Sequence, residues 1–388
     1  MPRLEDRLQL VERFCALDDL GTYDPYDIWK TKLGFLVKDL FNRHRRVGIL
    51  PAAALTLFDT FINNDARWFY AQQEYPIVRA WAALALMNLH EREPSPRLLA
   101  AARVHLEWLR QHSSPGYSGP CWGIGFRQPI SAGLVYEADL PLSTMTPYPL
   151  EAFVRYHGLT GDDSLVPLIR GIYAFFARDL RVMEETDEHL VLSYGAMADR
   201  RVVNAASYVL FSLGLLLPYL PPAEQDAASR RMGKLYRYLQ LSQRPDGSWL
   251  YSPDGQSFVD CFHSCIVLKN LEKARRRFDL PGVEAVISRG YAYLQENFRA
   301  GQSGLFKRFS VSNKPSLVRY DLYDNAEMLN LAILRGDAGL IESLVPAIEK
   351  HFVRGDVIFS QLDYFGIPRN RNHLRWAVMP YLYALSQL

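Results

Sequence analysis

The chain alternates two kinds of helical segment, and that alternation restricts its fold more than any other feature. Five pairs can be read. "YPIVRAWAALALMNLHE" precedes "SPRLLAAARVHLEWLRQH", and "PLEAFVRYHGLTGDDSLVPLIRGIYAFFARDL" holds a second pair around the turn "GLTGDD". "VVNAASYVLFSLGLLLPYL" precedes "EQDAASRRMGKLYRYLQLSQ", "FVDCFHSCIVLKNLEKARRRF" precedes "PGVEAVISRGYAYLQENF", and "YDLYDNAEMLNLAILRG" precedes "LIESLVPAIEKHF". The first member of most pairs is apolar nearly all round, so it belongs in a core; the second has one apolar face, so it belongs outside. Between pairs recur turns rich in Gly and aromatics, centred on Trp122, Tyr194, Trp249, Phe306 and Phe359. From Tyr194 onward their spacing of roughly 50–60 residues suits two helices and their connections.

Inner helices alternating with outer ones describe an all-α fold, an α/α toroid of about six to seven helical hairpins, with residues 1–388 as a single domain. An open α-solenoid shares these local signals. The last segment, "RWAVMPYLYALSQL", favours closure, because it is apolar enough to need covering by an N-terminal hairpin.

Apolar residues at 49% and charged residues at 22% fit a large globular core. Aromatics reach 13%, a content that suits a carbohydrate-binding or apolar groove as well as a core. The net charge of +2 is interspersed, which excludes the electrostatic footprint of a nucleic-acid binder. The run Arg43-His44-Arg45-Arg46 reads as a solvated helix end. Of four Cys, two lie four apart in one helix, so no disulfide framework is expected and a reducing compartment fits. Residues 1–6 are charged and lack a signal-peptide stretch, and the apolar run at 208–220 is too short to span a bilayer. A cytoplasmic protein without a transmembrane segment is expected.

In a toroid the aromatic turns lead into the inner helices, so the starts of those helices gather at one rim. Thr146, Tyr148 and Glu151 stand there on one helix, Asn204 on the next, and Asp260 and His263 on a third. Arg319, Tyr320, Asp321 and Asp324 follow on a fourth, and His373, Arg375 and Trp376 on the last. Asp260/His263 and Asp321/Asp324 are each three apart, on one helical face. Singly, Asn204, Asp260 and Asp321 read as helix caps or first-turn acids. Together they read as a site, with His263, Asp260, Tyr320, Asp321 and Asp324 as catalytic candidates. Trp122, Tyr148, Asn204, Trp249, Tyr251, Arg319, Asp363, Arg375 and Trp376 are candidates for holding substrate. Helix N-termini facing one space favour an anionic ligand such as a uronate or a pyrophosphate.

Cys261 and Cys265 share a helical face while Asp260 and His263 lie on a neighbouring one. Four groups on one helix cannot surround a tetrahedral ion, so neither a metal nor a cofactor is expected. No G-x-S-x-G, Walker A or dinucleotide fingerprint occurs.

The stretch with Gln243 and Asp246-Gly247-Ser248-Trp249 before an apolar helix resembles the repeat of terpenoid-cyclase and protein-prenyltransferase toroids. Phe262-His263-Ser264-Cys265 is similar to a prenyltransferase Tyr-His pair before a Cys-bearing helix, although the cyclase Asp-x-Asp-Asp motif and an Asp-x-Cys zinc partner are absent. "YDPYD", "CWGIGF", "VVNAASY", "DGSWLYS" with "VDCFHSC", "RYDLYDNAEML" and "LRWAVMPYLYAL", in that order, resemble a family of α/α-toroid proteins of bacterial exopolysaccharide and capsule biosynthesis. "RYDLYDNAEML" is also similar to the C-terminal toroid of glucuronyl C5-epimerases. The resemblance implies a polysaccharide setting, with an acidic or lipid-linked oligosaccharide or polysaccharide as ligand and other assembly proteins as partners.

The expected activity is proton transfer at a uronate, as in C5-epimerisation or β-elimination, with His263 or a tyrosine as base and an arginine on the carboxylate. A glycoside hydrolase using two of Asp260, Asp321, Asp324 and Asp363 is the enzymatic alternative. A non-catalytic glycan-binding scaffold and an isoprenoid-binding protein are the others.

Overall fold

The computed structural model describes residues 3–254, 258–312 and 315–388. Fifteen α-helices occur among them. In chain order these are α1 (Leu4–Cys15), α2 (Asp27–Lys30), α3 (Lys32–Arg43), α4 (Arg45–Leu57), α5 (Pro76–Arg92), α6 (Pro96–Gln111), α7 (Pro147–Thr160) and α8 (Val166–Ala174). Then follow α9 (Val203–Leu216), α10 (Pro222–Ser242), α11 (Cys261–Ala274), α12 (Val283–Phe298), α13 (Leu322–Arg335), α14 (Ala338–Phe352) and α15 (Met379–Ser386).

The fold is an α/α toroid. Each of α5, α7, α9, α11 and α13 packs against the next of the set, α13 packs against α15, and α15 returns to α5, so six inner helices close a ring. Burial follows the two sequence patterns. Every residue of α9 is buried, as are residues 76–89 of α5, because neighbours stand on all sides of an inner helix. Outer α6 buries only Leu98, Ala102, His105, Leu106 and Leu109, a single stripe at helical spacing. Helix α1 alone packs on both α15 and α5, closing the outer layer at the seam where a hairpin was expected.

Two indoles pin turns to outer helices. Trp122 Nε1 donates to Leu109 O at 3.0 Å and Trp249 Nε1 to Leu239 O at 2.9 Å, each reaching the last turns of the preceding outer helix. Gly290 on α12 leaves the space that Trp249 fills, since a Cβ there would come within 2.8 Å of the indole.

Residues 16–75 form a feature that the helical pattern does not foretell, a cap across the rim where the inner helices begin. Thr22 pairs with Gln73 as an isolated bridge, and Thr22 Oγ1 accepts the Leu374 amide at 2.9 Å. Asn64 Oδ1 accepts the Asn370 amide at 3.0 Å. At the same rim an antiparallel sheet places the strand Val357–Asp363 between Pro368–Arg371 and Val318–Asp321, with Asp321 opposite Gln361.

Charged groups also lie between inner helices. The ammonium of Lys269 on α11 pairs with the carboxylate of Glu327 on α13, both buried. Replacing Lys269 by Met leaves that carboxylate buried without its cation. We expect a loss of about 3–5 kcal/mol in urea denaturation, with most of it regained in Lys269→Met/Glu327→Leu.

Candidate active site

Helix α11 begins at an unusual cap. Asp260 occupies the N-cap position with extended backbone, φ −116° and ψ 160°, yet its side chain accepts no bond from the helix amides. Those amides are served from elsewhere: Cys261 N donates to Arg308 O at 2.9 Å, and Phe262 N donates to Oδ1 of Asp324, on α13, at 3.0 Å. Asp260 is thereby released to accept from His263 Nδ1 at 2.6 Å. An ionised carboxylate only accepts, so Nδ1 carries the proton and Nε2 presents its lone pair. No bond to Nε2 occurs among the described residues. His263 is 20 % exposed, whereas Asp260 is buried.

The imidazole stands in a shallow cleft lined by Asn204, Trp249, Tyr251, Asp260, His263 and Ser264, among others. Asn204 brings to that cleft a buried Oδ1 with no hydrogen-bond partner among the described residues. A buried unpaired acceptor is destabilising unless a ligand or water completes it. Aromatic rings continue from the cleft: Tyr251 lies 4.6 Å and Phe262 3.8 Å from the His263 ring, and Phe262, Tyr323, Trp376 and Tyr26 follow at successive contacts of 5.0, 4.9 and 5.5 Å. His263, Phe262, Trp376, Tyr26 and Tyr251 are all half-buried, so one edge of this row meets solvent.

Two further carboxylates lie beneath the rings. Asp321 is a true cap of α13, accepting Tyr323 N at 2.9 Å. It also accepts from Trp376 Nε1 and Gln361 Nε2, both at 3.0 Å. Burial drives the Asp324 carboxyl well above the usual range, Asp321 adds to the shift, and Arg308 opposes it. Arg308 comes from the turn before α13, and its cation is stabilised by Asp321, Asp324 and Asp260 against the effect of burial. Burial likewise raises the Tyr251 and Tyr26 phenols, keeping both as proton-bearing donors.

The cap completes the rim through Asp24. Arg375 Nη2 donates to Asp24 Oδ1 at 2.8 Å and Nε to Oδ2, with Asp24 buried and Arg375 half-buried. Burial alone would raise this carboxyl, but Arg375 and then Lys30 outweigh it and hold it at about 2. His373 is buried beside them and its pKa falls well below normal, chiefly through burial and then through Arg67.

The expected residues thus divide. Asp260, His263, Asn204 and Tyr251 meet in one cleft, while Asp321, Asp324 and Trp376 form the floor and wall beside it. The indoles of Trp122 and Trp249 are both buried and their N–H groups are used by outer-helix carbonyls, so Trp249 borders the cleft without a free donor. Asp363 is occupied with the amides of Phe365 and Ile367 and with Arg369, so it shapes a hairpin tip. Arg319 is exposed and its guanidinium lies over Tyr320, 5.3 Å from the ring centre, while Arg308 takes the place among the carboxylates. Tyr148 bonds to Tyr208 and lines a different pocket with Trp81, Glu151 and Lys269.

Arg375 and Trp376 do not start the last helix. They lie on the π turn Leu374–Val378, which departs from helix at Trp376 and at Ala377, φ 86°, and holds that strained backbone while Asp24, Asp321 and Ser360 bind its side chains and carbonyl. Cys261 and Cys265 sit 3.9 Å apart, with burial raising both thiols. Sequence reasoning missed Asp24, Tyr26, Arg308 and Gln361. The signals for the first three were the "YDPYD" block and the basic pair in "SGLFKRF", the one basic doublet in a recurring aromatic turn after Arg200.

No protein-family model matches the chain, and no curated protein matches it. Among solved structures, the fold is similar to that of a D-mannose isomerase, with 12 % identity and a TM-score of 0.64 over 98 % of this chain and 96 % of that one. A GH76 α-mannanase from Bacteroides thetaiotaomicron gives 10 % identity and a TM-score of 0.60 over 94 % and 97 % of the two chains. A cellobiose 2-epimerase from Bacillus thermoamylovorans gives 10 % and 0.58 over 80 % and 87 %. At these identities the likeness establishes the toroid.

The Asp24–Arg375 pair has a measurable pH signature. A carboxyl held at about 2 in the folded chain contributes stability that is full above the ordinary carboxylate range and disappears as pH falls toward about 2. Between about pH 4 and pH 2 the natural chain should lose about 2 kcal/mol more than Asp24→Asn, measured by denaturant unfolding at each pH.

Proposed function

We propose that the protein is a carbohydrate-active enzyme that moves a proton at a sugar carbon next to a carbonyl or carboxyl group, with His263 as the base. The observation that carries this reading is the N-cap aspartate that does not cap. Asp260 holds the imidazole in the tautomer that leaves Nε2 as the acceptor facing the cleft.

In the proposed step Nε2 removes the carbon-bound proton, and the electron pair of that C–H bond moves into an enediolate. His263, now protonated and stabilised by Asp260, delivers the proton to the neighbouring carbon while the enediol hydroxyl proton passes to the former carbonyl oxygen, or, once the enediolate has turned over, to the opposite face of the same carbon. The phenol of Tyr251, which lines the cleft beside His263, is the group placed to oppose charge on the enediolate oxygen. The row of rings offers faces for a pyranose, and the buried Asn204 Oδ1 accepts from a sugar hydroxyl.

Hydrolysis fits less well. It needs an acid and a second carboxylate free to act, whereas Asp321 accepts from three donors, Asp260 is committed to His263 and Asp363 to its own hairpin, which leaves only the buried Asp324, itself bonded to the Phe262 amide. The D-mannose isomerase and cellobiose 2-epimerase among the structural neighbours favour the proton-transfer reading, and the α-mannanase is the contrary case. The resemblance to capsule and exopolysaccharide proteins supports an oligosaccharide, free or lipid-linked, as substrate, and a uronate C5 carbon as one target.

The test is incubation in deuterated water with mannose, cellobiose and glucuronate-containing oligosaccharides, followed by proton NMR. Exchange at C2 or C5 supports the reading, and His263→Ala and Asp260→Asn should each lower it about 10²–10⁴-fold. New reducing ends without exchange would establish a hydrolase, and binding without either reaction a glycan scaffold.

A further inference from the structure

We infer that the cap docks on an anionic membrane surface through the α3–α4 hairpin and the adjoining hairpin tip at residues 364–367. Thirteen of the nineteen exposed large apolar side chains among the described residues lie on residues 33–69 and 364–367. Leu50 is 77 % exposed, Phe69 89 % and Phe365 81 %. These are one surface, because Arg369 lies 5.2 Å over the Phe61 ring and Asn64 bonds to Asn370.

Helix α4 and the π turn Phe58–Ile62 after it carry the main stripe. Val47, Leu50, Ala54, Leu57 and Phe61 recur at spacings of three and four, all exposed. From Val47 to Ile62 the only charged residue is Asp59, which is buried. A stripe of this kind, large for a water-facing surface, marks an interaction face.

The charge beside it identifies the occupant. Arg43, His44, Arg45 and Arg46 are all exposed at the hairpin tip. Arg43 pairs with Asp39, but Arg45 and Arg46 have no ion pair among the described residues. They form the first turn of α4, which has no acidic residue and no side-chain cap, so their charge opposes the helix dipole. Helix stability therefore does not account for them. Phosphate headgroups do: a basic end followed by an apolar face is the pattern of a helix lying in the interface of an anionic bilayer. No helix among the described residues is long and apolar enough to cross a membrane, so this face would lie on the bilayer.

The inference is independent of the chemistry at His263. The full chain is to be co-sedimented with vesicles of phosphatidylcholine alone and of phosphatidylcholine with phosphatidylglycerol, over a salt series. Binding is expected to the second only, to weaken with salt, and to fall at least about tenfold in Arg45→Glu/Arg46→Glu and in Leu50→Glu/Phe365→Glu, with circular dichroism unchanged. Absence of binding to phosphatidylglycerol vesicles, or equal binding by the variants, overturns it. So does a concentration-dependent dimer that Leu50→Glu dissolves while vesicles leave the chain in solution, which would make a second copy the occupant.

Discussion

A single hydrogen bond between two inner helices, Phe262 N to Asp324 Oδ1 at 3.0 Å, sets the character of the rim. Every inner helix arrives there with backbone amides that have no partner in its own first turn. At α13 the ordinary solution operates, with Asp321 capping its own helix. At α11 the cap is supplied by Asp324, one helix away. That exchange ties α11 to α13 and leaves Asp260 with a carboxylate for His263. It also accounts for the electrostatics below the rings, since Asp324 is fixed in a dry position between Asp321 and Arg308 and its carboxyl is driven up.

The cap depends on the same rim. Asp24 reaches Arg375, and the neighbouring Trp376 reaches Asp321, so a non-helical stretch joins the cap to the floor of the site. The strained backbone at Ala377 belongs to this arrangement: Arg375 and Trp376 are held apart from α15, with their side chains directed to two different acids. The segment that supplies Asp24 and Tyr26 also carries the exposed apolar stripe and basic tip. One segment thus reaches both the candidate site and the outer surface.

The ring was legible in the sequence because its cause is periodicity. Helices apolar on all sides can only be interior, and "VVNAASYVLFSLGLLL" states that as plainly as its burial does. The convergence of Asp260, His263, Asn204 and Tyr251 followed from the same geometry. What a carboxylate does at a helix start was not legible: Asp260 and Asp321 occupy the same position in successive inner helices, and only the neighbour's side chain decides which one caps. The anchoring roles of Trp122 and Trp249 were hidden for a similar reason, since an indole in a Gly-rich turn suits a groove and a turn anchor equally until its N–H partner is seen. The cap could not be read from helical pairs, because its contacts to Arg375 and Asn370 span some three hundred residues of chain.

The central claim is that Asp260 fixes the His263 imidazole for proton transfer in the cleft. Nitrogen NMR of the labelled His263 ring, at a pH where the ring is neutral and with a bound sugar added, tests it most directly. The account predicts the proton on Nδ1, an unprotonated Nε2 whose resonance moves when sugar binds, and loss of that tautomer preference in Asp260→Asn. A proton on Nε2, or an Nε2 resonance indifferent to a sugar that does bind, would contradict it.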